Sequence, residues 1–88
     1  MADVDLSDEL KDRERTAIAA FERVRALPAE YGPTAEWTDE QRAAVSEAWE
    51  QWRTAAQDAH LAITAHATAT GQNRYEVEMA VKRAVRRA

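Results

Sequence analysis

The chain has 88 residues, of which 45% are hydrophobic and 32% charged, and it contains no cysteine. This composition predicts a single folded domain and excludes both a disulfide framework and thiolate chemistry. Residues 1–60 hold fourteen acidic and seven basic side chains, whereas residues 61–88 hold two acidic and five basic ones. The N-terminus lacks the basic and apolar regions of a signal peptide, so we expect a cytoplasmic protein.

The first predicted helix spans residues 7–27. Asp5 or Ser7 can cap its N-terminus by accepting a backbone N–H of the first turn. Pro28 is expected to end the helix, because proline disfavours helical geometry in the residue before it and lacks a backbone donor. Residues 28–37 contain both prolines of the chain and are predicted to form a loop.

The second predicted helix, residues 39–70, has the clearest start signal in the chain. Thr38 and Gln41 stand at the spacing of a capping box, in which each side chain binds the backbone N–H of the other residue. An apolar face then repeats over almost four heptads, and Gly71 is expected to cap the C-terminus. The helix would be about 48 Å long, so a kink or a frayed end after His60 is an alternative. One row of its apolar face is made entirely of alanine: Ala48, Ala55, Ala62 and Ala69.

Residues 59–73 contain no charged side chain. A helix that is apolar on more than one side needs neighbours on more than one side. The segment is shorter than the ~20 apolar residues that span a bilayer, and it contains two histidines and three threonines, so we expect no membrane segment. It predicts instead that other helices converge here, and we expect a homodimer that pairs through the second helix and this segment.

The third predicted helix spans residues 74–87, with Asn73 at the start of a second capping box. Because short connections make consecutive helices antiparallel, we predict an all-α, three-helix antiparallel (up-down-up) bundle with a long central helix. The first and third helices should overlap near residues 59–70. The tryptophans are interpreted as bulky anchors of an alanine-rich core. The candidate core or interface residues are Phe21, Val45, Trp49, Trp52, Ile63, Val77 and Val81.

The two histidines do not indicate a catalytic or metal site. His60 and His66 lie about 200° apart on a helix, so they cannot share a metal ion within it. Neither has a carboxylate three or four residues away. We therefore expect no catalytic residue, no metal, no cofactor and no enzymatic activity. A small helical-dimer enzyme, of which the chorismate mutases are one type, is a remote alternative, although the motif of that family has no match in these residues.

One segment resembles the helix-turn-helix core of DNA-binding proteins. That motif combines a small residue, a turn glycine, a capping polar residue and a buried valine. The matching residues are Ala67, Gly71, Asn73 and Val77. The resemblance implies that Arg74, Tyr75 and Glu78 lie on the side that reads bases. The segment departs from the family at His66 and Gln72, where apolar residues are usual, and at Glu76 and Glu78, which would face phosphates.

Two classes of function therefore compete. The favoured one is a small non-catalytic helical module that binds an unknown protein, and its acidic residues 1–60 favour a basic partner. The alternative is DNA binding through residues 67–87, which the acidic remainder of the chain disfavours. The candidate nucleic-acid or anion contacts in that alternative are Arg74, Lys82, Arg83, Arg86 and Arg87.

Overall fold

Three helices form the part of the chain that the structure describes, residues 6–86 of a computed structural model. In chain order they are α1 (Asp8–Tyr31), α2 (Asp39–Thr70) and α3 (Arg74–Arg86), with one turn of 3-10 helix (Thr34–Glu36) between the first two. The described residues contain no strand. The predicted all-α three-helix bundle with a long central helix is confirmed, and α2 continues without a break at His60.

Side-chain caps determine where the helices begin. The Ser7 hydroxyl accepts a backbone N–H of the first turn of α1 at 3.3 Å. The predicted capping box of α2 is present: the Thr38 hydroxyl accepts the Gln41 N–H at 3.1 Å, and the Gln41 side chain accepts the Thr38 N–H at 2.8 Å. The Asn73 side chain caps α3 at 3.2 Å. Asp5, the other cap predicted for α1, lies outside the described residues.

A glycine turn ends α2 and leads directly into α3. Gly71 has a φ of 69°, in the left-handed region that favours glycine. The Gln72 N–H donates to the Ala67 carbonyl at 3.0 Å, and the Gly71 N–H donates to the Thr68 carbonyl at 3.4 Å. These two bonds form a Schellman motif, which satisfies carbonyls at the helix end. The predicted C-terminal cap is confirmed.

The prediction that Pro28 ends α1 is wrong, because the helix continues to Tyr31. The φ of proline is itself helical, so Pro28 costs α1 one backbone hydrogen bond and a close contact with the preceding turn without forbidding the helix to continue. The last turn gains tertiary contacts in return. Tyr31 packs edge-on against Trp37 with ring centroids 6.0 Å apart, and the Trp37 indole N–H donates to the Gly32 carbonyl at 2.9 Å.

Helices α1 and α2 form an antiparallel hairpin, and α3 packs against one end of it. Leu10, near the start of α1, clusters with Ile63 and Ala67, near the end of α2. Val77 and Val81 of α3 complete this core. At about 1.5 Å per residue, α2 is about 48 Å long and α3 about 20 Å. More than half of the hairpin therefore has no third helix packed on it.

The core of the single chain is smaller than predicted. Phe21 and Trp49 are 39% and 38% exposed, so the prediction that Trp49 lies in the core is wrong for the chain by itself. The physical reason is that α3 lies against the other end of the hairpin. As interface residues, Phe21 and Trp49 stay a prediction. The other five candidates are buried (Ile63, Val77, Val81) or half-buried (Val45, Trp52).

The uncharged segment 59–73 lies where the three helices converge, as predicted, but it is covered on one side. Ile63 and Ala67 are buried in the core, whereas Leu61 is 56% exposed. The neighbours expected on more than one side of this segment are therefore not all supplied by residues 6–86 of the single chain. The bundle accounts for the missing charges on only one face of the segment.

Ile63 and Leu61 offer a matched pair for testing this core. Ile63→Ala should lower the free energy of unfolding by about 2–5 kcal/mol, because it leaves a cavity among buried side chains. Leu61→Ala should change it by less than about 0.5 kcal/mol, because that side chain is largely in solvent. Urea denaturation at one protein concentration measures both. Equal losses in the two variants would contradict the described packing of α2.

Candidate interaction surface

An apolar surface lies on the α1–α2 hairpin, beyond the part that α3 covers. It consists of Ile18, Phe21, Trp49, Trp52 and Ala56, and we call it the aromatic face. Three of these side chains are more than one-third exposed, although each is large and apolar. Scattered exposed apolar residues are ordinary in proteins, whereas a contiguous group of them marks a contact surface.

Ring contacts hold the aromatic face together across the two helices. The Trp52 ring lies 5.6 Å from that of Phe21 on α1 and 5.7 Å from that of Trp49 on its own helix, measured between centroids. The rings are inclined at 50° and 83°, within the arrangements that aromatic pairs favour. Trp52 therefore joins α1 to α2 and fixes the orientation of its two more exposed neighbours.

A groove of about 480 Å³ runs beside these rings between α1 and α2. Phe21 and Trp52 line it, and Glu78 and Lys82 of α3 close one end. The groove therefore continues the same side of the hairpin on which α3 packs. An amphipathic helix that lays its apolar face into such a groove would extend the third layer of the bundle.

A buried carboxylate lies at the end of the groove nearest α3. The Glu14 side chain is 10% exposed, and one of its oxygens lies 3.5 Å from the Nζ atom of Lys82. This ion pair joins α1 to α3. Sequence reasoning missed Glu14, although a signal was present: it interrupts the apolar stripe of α1 between Leu10 and Ala17.

Arg74 joins the start of α3 to α2. Its guanidinium donates to the Thr64 hydroxyl at 2.9 Å and to the Glu78 carboxylate at 3.0 Å, and one of its nitrogens lies 2.5 Å from Nδ1 of His60. Arg74 was a candidate contact for nucleic acid. Its donors are instead directed at neighbours within the chain, as is the ammonium group of Lys82.

Two more of the predicted basic contacts lie near the C-terminal end of α3. Arg83 and Arg86 are exposed, and no carboxylate of residues 6–86 forms an ion pair with either of them. Arg87 lies outside the described residues. The structure therefore divides the five predicted cations: two bridge the helices, and two of the others are available to solvent.

Charges of both signs surround the aromatic face, although the chain as a whole is acidic. Glu14, Glu22 and Glu78 line the groove together with Arg25 and Lys82. Two more cations, Arg42 and Arg53, lie beside Trp49. The rim of this surface is therefore close to neutral, and the acidic excess lies elsewhere on the molecule.

The opposite side of the hairpin is polar. Arg13 donates to Glu9 at 2.8 Å, and this hydrogen bond, together with the charge of Glu9, raises the pKa of Arg13 above its already high usual value. Thr16, Gln51 and Thr54 lie on the same side. Level with the aromatic face, the opposite side of the hairpin is therefore solvated.

Lys82 and Arg83 are adjacent cations with different surroundings, which makes them a second matched pair. Lys82→Gln should lower the free energy of unfolding by about 1–2 kcal/mol, because it leaves the buried Glu14 carboxylate without its partner. Arg83→Gln should change it by less than about 0.5 kcal/mol. Urea denaturation at neutral pH measures both. If Lys82→Gln is as stable as Arg83→Gln, the ion pair does not hold α3 to α1.

Comparison of the chain with protein-family models, curated proteins and solved structures gives no significant match in any of the three. Among residues 6–86, no three His, Asp or Glu side chains converge in an arrangement that could hold a metal ion. No helix in the same range is both long and apolar enough to cross a bilayer.

Proposed function

We propose that this chain is a small, non-catalytic protein-interaction module that binds a helix through its aromatic face. The observation that carries the proposal is that Phe21 and Trp49 stay more than one-third exposed, and that Phe21 and Trp52 line a groove that continues the site of α3. A bound helix would cover these rings and complete the third layer of the bundle.

The composition of the aromatic face supports this function. Tryptophan is the residue type most enriched among side chains that dominate binding energy, and charged residues surround such centres as a rim. Trp49 and Trp52 occupy the centre here, with Arg25, Arg53 and Glu22 at the edge. Because Trp52 already contacts Phe21 and Trp49, little side-chain order would have to be gained on binding.

Two narrower hypotheses about the partner follow from the sequence. The first is a homodimer, and the second is a basic protein attracted to the acidic residues 1–60. The near-neutral rim of the aromatic face favours a partner bound mainly by apolar contact. A partner held by long-range charge would instead be lost as salt is raised, because exposed charges are screened over about 8–10 Å.

DNA binding through residues 67–87 is the second candidate function. Arg83 and Arg86 favour it, because both are exposed and make no ion pair among residues 6–86. The internal bonds of Arg74 and Lys82 weaken it, because those cations would have to leave Glu78 and Glu14 to reach phosphates. Glu76 is also exposed on the same helix.

Affinity capture from the native cell lysate, with three immobilised forms of this chain as bait, tests the proposed function. These are the wild type, Trp49→Gln in the aromatic face, and Leu61→Gln as a control that removes an exposed apolar side chain elsewhere on α2. Glutamine suits a helix interior, so both variants should keep their helical circular dichroism. We expect a protein partner to bind wild type and Leu61→Gln, to be lost from Trp49→Gln, and to resist both nuclease and high salt.

Other outcomes identify the competing functions. Recovery that requires nucleic acid and disappears in an Arg83→Gln, Arg86→Gln double variant would establish the DNA-binding alternative. That double change should also flatten the salt dependence of duplex binding, by about one unit of slope for each lost phosphate contact. A partner retained by Trp49→Gln but released by salt would point to the acidic surface instead.

A further inference from the structure

We infer that the occupant of the aromatic face is a second copy of this chain, related to the first by a two-fold axis. The inference rests on the proposed function, because it names the partner of the same surface. In such a pair, the aromatic half of each hairpin packs against that of the other copy, and the two α3 helices lie at opposite ends. The contact replaces the third helix that each hairpin lacks over Phe21 and Trp49.

The surface area of the single chain supports this occupant. Its accessible surface is 6255 Å², whereas a folded monomer of 9.9 kDa is expected to expose about 5,200 Å². The excess of about 1,000 Å² is similar to the ~800 Å² per partner that a standard two-protein interface buries. A dimer through the uncovered half of the hairpin would therefore bring the exposed surface close to the usual value for a compact protein of this size.

The charges at the aromatic face also suit a second copy. A two-fold interface brings the same patch of each copy together, so a patch of one sign would repel itself. Here Glu22 and Arg25 lie on one side of the groove, and Arg53, which bonds to Glu50, lies near the other. A rim that contains both signs can pair with itself, whereas the whole chain, with a net charge of −4, disfavours self-association at long range.

A second apolar strip is an alternative candidate for the dimer interface. It contains Leu61, Ala65 and Ala69, which are exposed on α2 and belong to the uncharged segment through which the sequence predicts pairing. Only Leu61 among these is large. The aromatic face instead offers Ile18, Phe21 and Trp49, so it buries more apolar area and contains the residue types that dominate interface energies.

Sedimentation equilibrium of four proteins over a range of concentrations tests the inference. They are the wild type, Phe21→Gln, Trp49→Gln and Leu61→Gln, each checked for helical circular dichroism. We expect the mass of wild type and of Leu61→Gln to rise from the 9.9 kDa of the single chain at low micromolar concentration to twice that value at high micromolar concentration. Phe21→Gln and Trp49→Gln should raise the dissociation constant of the dimer by at least about tenfold, because each removes an aromatic ring from the contact.

Each other outcome overturns a specific part of the account. A wild-type mass of 9.9 kDa at every concentration would overturn the dimer, and the proposed function would survive if a foreign helix still bound wild type but not Trp49→Gln. A dimer that Leu61→Gln dissociates, and the aromatic variants do not, would place the interface on the other strip. If Phe21→Gln lost its helical circular dichroism, Trp49→Gln would serve as the test. A dissociation constant of Trp49→Gln equal to that of wild type would overturn the proposed interface.

Discussion

Helix α3 has 13 residues and α2 has 32, and because of this difference in length only part of the hairpin carries a third layer. Where α3 is present, Val77 and Val81 are buried completely, together with Ile63. Where it is absent, the same side of the hairpin exposes aromatic rings. The chain is elongated as a result: its radius of gyration is 16.3 Å, against about 12 Å for a compact domain of this length. The buried cluster around Val77 and Val81 and the exposed aromatic rings therefore lie in opposite halves of one hairpin.

Local signals predicted the helices well, because a cap depends on residues only a few positions apart. Thr38 and Gln41 lie within one turn of each other, and Gly71 adopts the left-handed conformation that its residue type allows. The same kind of signal failed at Pro28. Helix α1 ends instead just before Gly32, whose φ of 77° lies in the left-handed region, and Tyr31 packs against Trp37 in its last turn.

The candidate site was predictable only in part. The helical spacing of Trp49 and Trp52 correctly placed them on the apolar side of α2, but an amphipathic pattern records that a face is apolar and not what covers it. The sequence does not specify how far α3 reaches along the hairpin. It therefore could not predict that Trp52 is half-buried and Trp49 exposed. The ion pair of Glu14 with Lys82 was missed for a related reason, since 68 residues separate its partners.

The half of the hairpin without α3 is the proposed surface of association. The three indole N–H groups report on it directly in a nitrogen–proton correlation spectrum, because Trp49 and Trp52 lie on that surface whereas Trp37 donates within its own chain to Gly32. On dilution from millimolar to low micromolar concentration, we expect clear shifts for Trp49 and Trp52 and a much smaller shift for Trp37. Indole signals that all stay constant, or a shift confined to Trp37, would contradict that proposal.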